Sequence, residues 1–286
     1  MKAILCSIVA LFICVNKNEP TYSLSDVQTL KQIVLDNVSV NGTEDNALSK
    51  LGWTSPNIIH WKNIIWTSTI PKRVEGLNLS SMQLERVDLR GLFALKQVDL
   101  SNNHLQQVLL PPFPTMIDLS HNSLKQIDIH DLYLLSSLDI SYNHLDEIIL
   151  PQKSHLQLLD VSFNFLSSLN MSNQSKLETF MFASNRLTEL DLSSCYEITS
   201  IKGRNNLLNK VIMPKMLKHS FPSIELMNDI DGCENEFPLL EVSEYHSKEV
   251  NQLTYIENAK ETVEQINKIL GPEYTSKSRK DKVFHF

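Results

Sequence analysis

The sequence of 286 residues predicts a solenoid of the α/β type, built from short repeated turns around a parallel inner β-sheet. The first observation is a set of asparagines at a regular step, with one interval of 19 residues followed by four of 21. These residues are Asn103, Asn122, Asn143, Asn164, Asn185 and Asn206. The second observation is the apolar pattern around each of them, as in 95–105 and 156–166. Self-similarity at a period of about 20 to 50 residues indicates a repeat architecture and outweighs the interpretation of any single element.

The second half of each repeat carries two apolar residues separated by one position. These pairs are Val108/Leu110, Ile127/Ile129, Ile148/Leu150, Leu169/Met171, Leu190/Leu192 and Val211/Met213. Apolar residues two apart indicate extended backbone, because helical contacts recur at three and four residues. A turn of this length also leaves little room for a full helix. We therefore predict a mostly extended convex side opposite the inner sheet.

The pattern Leu95-x-x-Val98-x-Leu100-x-x-Asn103-x-Leu105 resembles that of the leucine-rich repeat superfamily. The resemblance implies a horseshoe with a parallel inner β-sheet, whose function lies in the surface that it presents. We expect the repeats to cover 74–240, with about seven regular units and a degenerate eighth from Phe221. The asparagines are expected to be structural, because an amide side chain both donates and accepts hydrogen bonds at the turn that leaves each strand.

The N-terminus has the pattern of a secretory signal. Lys2 precedes an apolar run from Ala3 to Val15, which is too short to span a bilayer but fits the apolar region of a signal peptide. Cleavage after Ser23 follows the small-residue rule, so 1–23 is the predicted signal peptide. The alternative is a buried strand or helix of the mature chain. We predict a secreted, extracellular protein without a membrane span.

Residues 24–73, which precede the clear repeats, are expected to form an N-terminal cap. Leu30 and Ile33 follow half of the repeat pattern, and a short helix is predicted over Glu44–Leu51. The three tryptophans of the chain are expected in the core of the cap. A cap covers the apolar side chains and strand edges that the end of a stack would expose.

Residues 241–270 carry apolar side chains at three- and four-residue spacings, and Gly271-Pro272 ends the run. This pattern predicts a C-terminal amphipathic helix, followed by a disordered tail over 271–286. Two alternatives are open for the helix. It packs back on the repeats, or it pairs with a partner helix and forms an oligomer.

Two of the four cysteines, Cys6 and Cys14, lie in the predicted signal peptide. Cys195 and Cys233 remain, and an even pair in an oxidising compartment predicts a disulfide between them. The alternatives are a bridge from either thiol to another chain and a pair of buried free thiols.

Five sequons of the form Asn-x-Ser/Thr support secretion and are predicted glycosylation sites. They are Asn37, Asn41, Asn78, Asn170 and Asn173. A glycan on Asn78 would crowd the N-terminal end of the concave face and leave the third to sixth repeats accessible.

Several classes of function are disfavoured by the sequence. A net charge of −7 disfavours nucleic acid as a partner, because proteins that bind nucleic acid carry basic surfaces. The chain has no phosphate-binding loop, dinucleotide fingerprint or metalloprotease motif. We therefore predict that the protein is not an enzyme and needs no cofactor. An aligned column of carboxylates, Asp99, Asp118, Asp139 and Asp160, is interpreted as a solvated row and not as a metal site.

The column directly before each asparagine is the most distinctive part of the sequence. It places an aromatic or imidazole ring in three successive repeats, at His121, Tyr142 and Phe163. Apolar residues at concave positions extend this candidate partner-binding surface: Met116, Leu158 and Met181. Contiguous exposed aromatic residues mark interaction sites and dominate interface hot spots. The alternative is that the rings pack onto the turn beside the asparagines.

We predict a secreted leucine-rich repeat protein that binds another protein through its concave face. The signal, short repeats and helical segment also resemble insect leucine-rich immune proteins, which implies a role in innate immune recognition. The cysteine-rich segment and long coiled coil of that family are missing here, so its disulfide-linked partnering is not implied. The alternative function is a structural component of the extracellular matrix or of adhesion that self-associates.

Overall fold

The computed structural model describes residues 22–37, 44–55, 58–152, 155–215, 217–218, 223–225 and 239–242. The chain divides into two compact units, Met1–Leu135 and Ser136–Phe286. Each unit contains parallel strands at the repeat period.

The first unit begins with helices and two inner strands, after which convex and inner strands alternate. Its helices are α1 (Leu24–Asp36), α2 (Glu44–Leu51) and a single 3₁₀ turn at Ile58–His60. Its strands are β1 (Ile64–Trp66), β2 (Val74–Asn78), β3 (Arg86–Asp88), β4 (Gln97–Asp99), β5 (Gln107–Leu109) and β6 (Met116–Asp118). The predicted helix over Glu44–Leu51 is thus confirmed.

The inner sheet of the first unit starts with an antiparallel pair, in which β1 pairs with β2. Parallel pairing follows from β2 to β4 and from β4 to β6, with Leu77, Val98 and Ile117 in register. These three residues are buried, while the residues on either side of Val98 and Ile117 in the strands are more exposed. On the convex side β3 and β5 form a separate parallel pair.

The segment predicted as an N-terminal cap contains a helix where the sequence suggested half of a repeat. Leu30 and Ile33 lie on the buried face of α1, together with Val27 and Val34. A spacing of three residues fits both the repeat pattern and a helix. Val27 and Val34 extend the buried face at helical spacing, which favours the helix. The half-repeat interpretation was therefore wrong.

A buried carboxylate links α1 to the start of β2. Asp26 is 0% exposed and accepts hydrogen bonds from Arg73 Nη2 at 2.9 Å and from the backbone N–H of Val74 at 2.8 Å. Ser23 and Ser25 also donate their hydroxyls to Asp26, at 2.8 and 3.1 Å. These donors satisfy a charge that would be costly to bury alone.

Two of the tryptophans are in the buried core of the predicted cap segment. Trp53 and Trp61 are buried and stack with ring centroids 5.0 Å apart. Trp53 Nε1 donates to the carbonyl of Lys62, and Trp61 Nε1 donates to the carbonyl of Ser55. Trp66 is half-buried and makes an edge contact with the ring of Tyr22.

The second unit repeats the same two-sided arrangement. Its strands are β7 (Ser137–Asp139), β8 (Leu158–Asp160), β9 (Thr179–Met181), β10 (Glu189–Asp191), β11 (Ser200–Lys202), β12 (Lys210–Met213), β13 (Ser223–Glu225) and β14 (Leu239–Val242). The inner sheet is parallel in the order β7-β8-β9-β11-β13, and the convex sheet is parallel in the order β10-β12-β14. The predicted parallel inner sheet with an extended convex side is confirmed within both units.

A row of buried apolar residues runs through the inner sheet of the second unit. Leu138, Leu159, Phe180 and Ile201 are in register on successive strands and are at most 1% exposed. The sequence changes to Gly203 in the seventh repeat, at a position where the other repeats have a large apolar residue. A Cβ atom on Gly203 would lie 2.1 Å from Cζ of Phe182, so the large side chain of one turn requires glycine in the next.

The buried asparagines hold neighbouring turns together. Asn164 Nδ2 donates to the carbonyls of Ile140, Val161 and Ser162 at 3.0 to 3.2 Å. Asn164 Oδ1 accepts the backbone N–H of Leu145 at 2.9 Å. One amide thus satisfies four backbone groups in two turns, and Asn185 repeats the pattern one turn later. The structural interpretation of these asparagines is confirmed.

The ends of the predicted repeat region are described only in part. The degenerate eighth repeat contributes β13, in which Ile224 pairs with Ile201. The helix predicted over 241–270 overlaps β14, so its first two residues are strand instead. The rest of that helix, the tail over 271–286 and nearly all of the predicted signal peptide lie outside the described residues. Within the described part of the chain, no helix is long and apolar enough to cross a membrane.

Candidate functional site

The residue before each asparagine has left-handed backbone geometry in every turn from the second to the seventh. The φ angles are Asn102 56°, His121 54°, Tyr142 53°, Phe163 56°, Ser184 55° and Asn205 56°. Asparagine tolerates this region because its short polar side chain can form local hydrogen bonds, whereas bulky side chains are disfavoured there. Holding a non-glycine residue in this region costs on the order of 1–3 kcal/mol. The rings at Tyr142 and Phe163 therefore occupy positions where backbone geometry favours other residues.

Tyr142 and Phe163 form an exposed stack on the second unit, and we call this pair the first row. Their ring centroids are 4.1 Å apart and the rings are inclined by 11°. Tyr142 is 43% exposed and Phe163 is 42% exposed. The backbone N–H of Tyr142 donates to the carbonyl of Ser162, and that of Phe163 donates to the carbonyl of Ala183. The rings pack on each other and keep a large part of their surface in solvent, which favours the interpretation as a binding site.

A second row lies one position beyond the asparagines and was missed by the sequence reasoning. It consists of His144, Phe165 and Arg186, all exposed. The rings of His144 and Phe165 stack at 5.9 Å, and the guanidinium of Arg186 lies over the Phe165 ring at 4.8 Å from its centroid. The regular 21-residue step between these residues is the signal that could have identified them.

The two apolar residues predicted on strands of the second unit, Leu158 and Met181, do not lie in the turns that carry the rings. Leu158 is the first residue of β8 and Met181 is the last residue of β9, and both are half-buried. Phe163 lies three residues beyond the end of β8, at the turn. The rings therefore sit where the strands end, and not along the strands themselves.

Two other predicted residues, Met116 and His121, belong to the first unit. Met116 is the first residue of β6 and is 46% exposed. His121 is exposed at the turn that follows this strand. Of the six predicted partner-binding residues, the structure thus brings Tyr142 and Phe163 into direct ring contact.

The column of aspartates closes the turns. Asp139 Oδ1 accepts the backbone N–H and the hydroxyl of Ser141 at 2.9 and 2.7 Å. Asp99 with Ser101 and Asp118 with Ser120 repeat this arrangement. These contacts give the carboxylates a structural role. No group of three or more potential metal-ligating side chains is found among the residues that the structure describes.

Cys195 is a buried thiol in the core of the second unit. Burial, with a smaller effect of the charge on Asp191, raises the pKa of the Cys195 thiol to about 12. A thiol with this pKa is a poor nucleophile at neutral pH, because the thiolate is scarce. This environment disfavours a bridge from Cys195 to another chain. Cys233 lies outside the described residues, so the disulfide between the two remains a prediction.

The sequons differ in how accessible their asparagines are. Asn37 is buried, and its Nδ2 donates to the carbonyls of Ile33 and Arg86 at 2.8 and 3.3 Å. A glycan on this nitrogen would not fit the folded cap, so the structure disfavours the predicted site at Asn37. Asn78, Asn170 and Asn173 are exposed, and Asn41 lies outside the described residues.

The protein is a repeat protein of the parallel solenoid class. Its turns combine an inner strand, a buried asparagine and an extended convex segment. The family model for the Leucine Rich Repeat matches residues 94–116, and the same pattern and geometry recur in the turns that follow. The chain therefore has the sequence pattern and the fold of leucine-rich repeats. No curated protein sequence matches it.

Similar solved structures include two bacterial proteins. The functional domain of InlJ from Listeria monocytogenes, which includes a cysteine ladder, is 22% identical over 53% of this chain and 34% of its own, with a TM-score of 0.47. YopM from Yersinia enterocolitica is 25% identical over 56% of this chain and 35% of its own, with a TM-score of 0.43. The chain therefore covers about a third of the length of either protein.

A third similar structure is a plant ice-binding protein. It is 18% identical over 78% of this chain and 98% of its own, with a TM-score of 0.36.

Proposed function

We propose that this protein is a secreted leucine-rich repeat protein that binds another protein through the exposed rows of its second unit. The observation that carries the proposal is the stacked pair Tyr142 and Phe163, exposed at backbone positions that disfavour large rings. Leucine-rich repeat proteins are typically binding scaffolds and not enzymes, which agrees with this function.

The chemistry of the rows suits a protein partner. Aromatic residues and arginine are enriched among the residues that contribute most to protein–protein affinity. Rings that already stack have lost rotational freedom before binding, so less entropy is lost when a partner covers them. The two rows, which flank the buried asparagines, offer three rings, or four with His144, and one guanidinium.

Secretion and a role in innate immune recognition are part of the proposal. The apolar N-terminal run and the exposed sequons at Asn78 and Asn170 support passage through the secretory pathway. The resemblance to insect leucine-rich immune proteins supports the immune role. In this proposal the concave face contributes through Leu158 and Met181, which are half-buried on the strands that lead to the rows.

The experiment is affinity capture from the native extracellular fluid with the full chain and with the double variant Tyr142→Glu/Phe163→Glu. We expect the partner to be lost from the double variant, because two charges replace the apolar anchors. The matched control is Ile149→Glu, which adds a charge at an apolar residue that is 61% exposed in the same unit. Equal capture by the double variant and the native chain would reject the rows as the binding site. Circular dichroism of all variants checks that they are folded.

A further inference from the structure

The positions before the asparagines form a continuous line on the second unit, at Tyr142, Phe163, Ser184 and Asn205. Their φ angles lie between 53° and 56°, so their side chains leave the backbone in equivalent directions on successive turns. The stack of Tyr142 on Phe163 and the contact from Asn205 Nδ2 to Ser184 Oγ at 3.4 Å show that neighbours in this line meet. The line therefore passes from two rings to a hydroxyl and then to an amide.

Ser184 leaves a gap at the end of the ring stack. Neighbouring strands are about 4.8 Å apart, so Phe163 and Asn205 are separated by roughly 10 Å across the turn that carries Ser184. An aromatic ring in contact with both neighbours needs about 3.5 to 4 Å on each of its faces. The gap thus has the width for one ring once the Asn205 amide turns away from Ser184 Oγ, and Ser184, which is half-buried, forms its floor.

A positive charge lies in the second row, on the same turn as Ser184. Arg186 follows Ser184 by two residues, and its guanidinium rests on the Phe165 ring at 4.8 Å. Arg186 is exposed, and it forms no salt bridge with any residue in the described part of the chain. The charge contrasts with the net charge of −7 of the whole protein. A guanidinium stacked on a ring keeps its edge N–H groups available to a carboxylate.

We propose that the gap between Phe163 and Asn205, over Ser184, receives an aromatic side chain of the protein partner. An acidic side chain of the same segment pairs with Arg186. This inference rests on the proposed function and specifies the partner: a protein segment in which an aromatic residue lies close to an aspartate or glutamate. The inserted ring extends the existing stack by one member, and the carboxylate sets its orientation.

The test begins with a library of random twelve-residue peptides displayed on phage and selected on the immobilised full chain. We expect the selected peptides to be enriched in an aromatic residue with an acidic residue one to three positions away. Binding is then measured for the native chain and the variants with synthetic peptides from the selection.

Ser184→Phe is the decisive variant, because its own ring would fill the gap. The fold already accepts phenylalanine in the same backbone geometry at Phe163, so we expect this variant to fold, as checked by thermal unfolding. Ser184→Gly is the matched control, because glycine suits a positive φ and leaves the gap open. We expect Ser184→Phe to weaken peptide binding at least tenfold and Ser184→Gly to leave it within about twofold. Arg186→Glu should abolish the preference for acidic peptides.

The outcomes separate this inference from the proposed function. Peptides that bind Ser184→Phe as well as the native chain, or that show no aromatic and acidic enrichment, would overturn the gap as the binding site. If the same peptides lose binding to Tyr142→Glu/Phe163→Glu, the rows still bind protein and only the inference fails. Peptides that bind this double variant normally would reject the proposed function as well.

Discussion

The ring of Tyr142 lies face to face with the ring of Phe163, with centroids 4.1 Å apart, and each residue belongs to a different turn of the solenoid. Both residues have positive φ, and both keep more than two fifths of their surface exposed. The pair thus combines unfavourable backbone geometry with incomplete burial. Residues that serve the fold alone, such as Phe180 in the same unit, are buried in strands.

The first prediction concerns the contribution of the first row to stability. Replacing both Tyr142 and Phe163 with asparagine should change the free energy of unfolding by less than about 1 kcal/mol, because relief of backbone strain offsets the lost stack. Phe180→Ala, which removes a ring that is 0% exposed, should cost about 3–5 kcal/mol. Urea unfolding of the three proteins measures both values. A loss of several kcal/mol in the double variant would mean that the rings serve the fold.

The second prediction concerns the buried asparagines. Asn164→Ala should cost about 3 kcal/mol or more, because it removes the partners of four backbone groups in the interior. Asn164→Asp is the matched comparison, since it keeps an acceptor for Leu145 but cannot donate when ionised. We expect both variants to be destabilised in chemical unfolding. Native stability in the alanine variant would contradict the assigned role.

The third prediction concerns the N-terminus of the mature protein. Ser23 donates its hydroxyl to Asp26 and its backbone N–H to the carbonyl of Lys72, and the ring of Tyr22 contacts Trp66. A chain that begins at Leu24 should therefore be about 2 kcal/mol less stable than one that begins at Tyr22. Thermal and urea unfolding of the two purified chains compare them directly. Equal stabilities would show that these contacts are not important to the cap.

If the protein is secreted, a mature chain that keeps these contacts begins at or before Tyr22. Mass spectrometry of the secreted protein identifies its first residue. A mature chain that starts at Leu24 would agree with the sequence rule and disagree with this structural expectation.

The fourth prediction concerns the ionisation of His130 in the first unit. Hydrogen bonding and charge attraction from Asp128, with a further attraction from Asp131, raise the pKa of His130 above its usual value of 6.5. Because the folded pKa is raised, the stabilisation is present at acid pH and is lost as the pH rises through the folded pKa. NMR titration should show a lower His130 pKa in Asp128→Asn than in the native chain. An unchanged midpoint would contradict the ion pair.

Much of the fold could be predicted from the sequence because a solenoid depends on contacts between neighbouring turns. Each turn repeats the same apolar positions, so Leu138, Leu159 and Ile201 could be placed in one buried row. The structure of the predicted cap was harder to predict, because the spacing of Leu30 and Ile33 suits both a repeat and a helix. The position of the helix depends on the contacts of Asp26 with Arg73 and Val74, which follow it by 47 and 48 residues.

The candidate site was predicted only in part. The column with Tyr142 and Phe163 could be found because its position relative to the asparagines is regular. Phe165 and Arg186 were missed, since their contact depends on the directions of side chains beyond the ends of the strands. The place of Ser184 in the same line depends on the left-handed backbone geometry that it shares with Tyr142 and Phe163, which the sequence does not specify.

The sequence by itself determined the repeat period, the parallel inner strands and the structural role of the asparagines, because these follow from a local pattern that recurs. Only the tertiary structure decided which side chains meet across turns. Phe182 requires Gly203 in the next turn, and Arg186 rests on Phe165. The physical reason is that such contacts depend on the size and direction of particular side chains about 21 residues apart, which a repeating pattern does not specify.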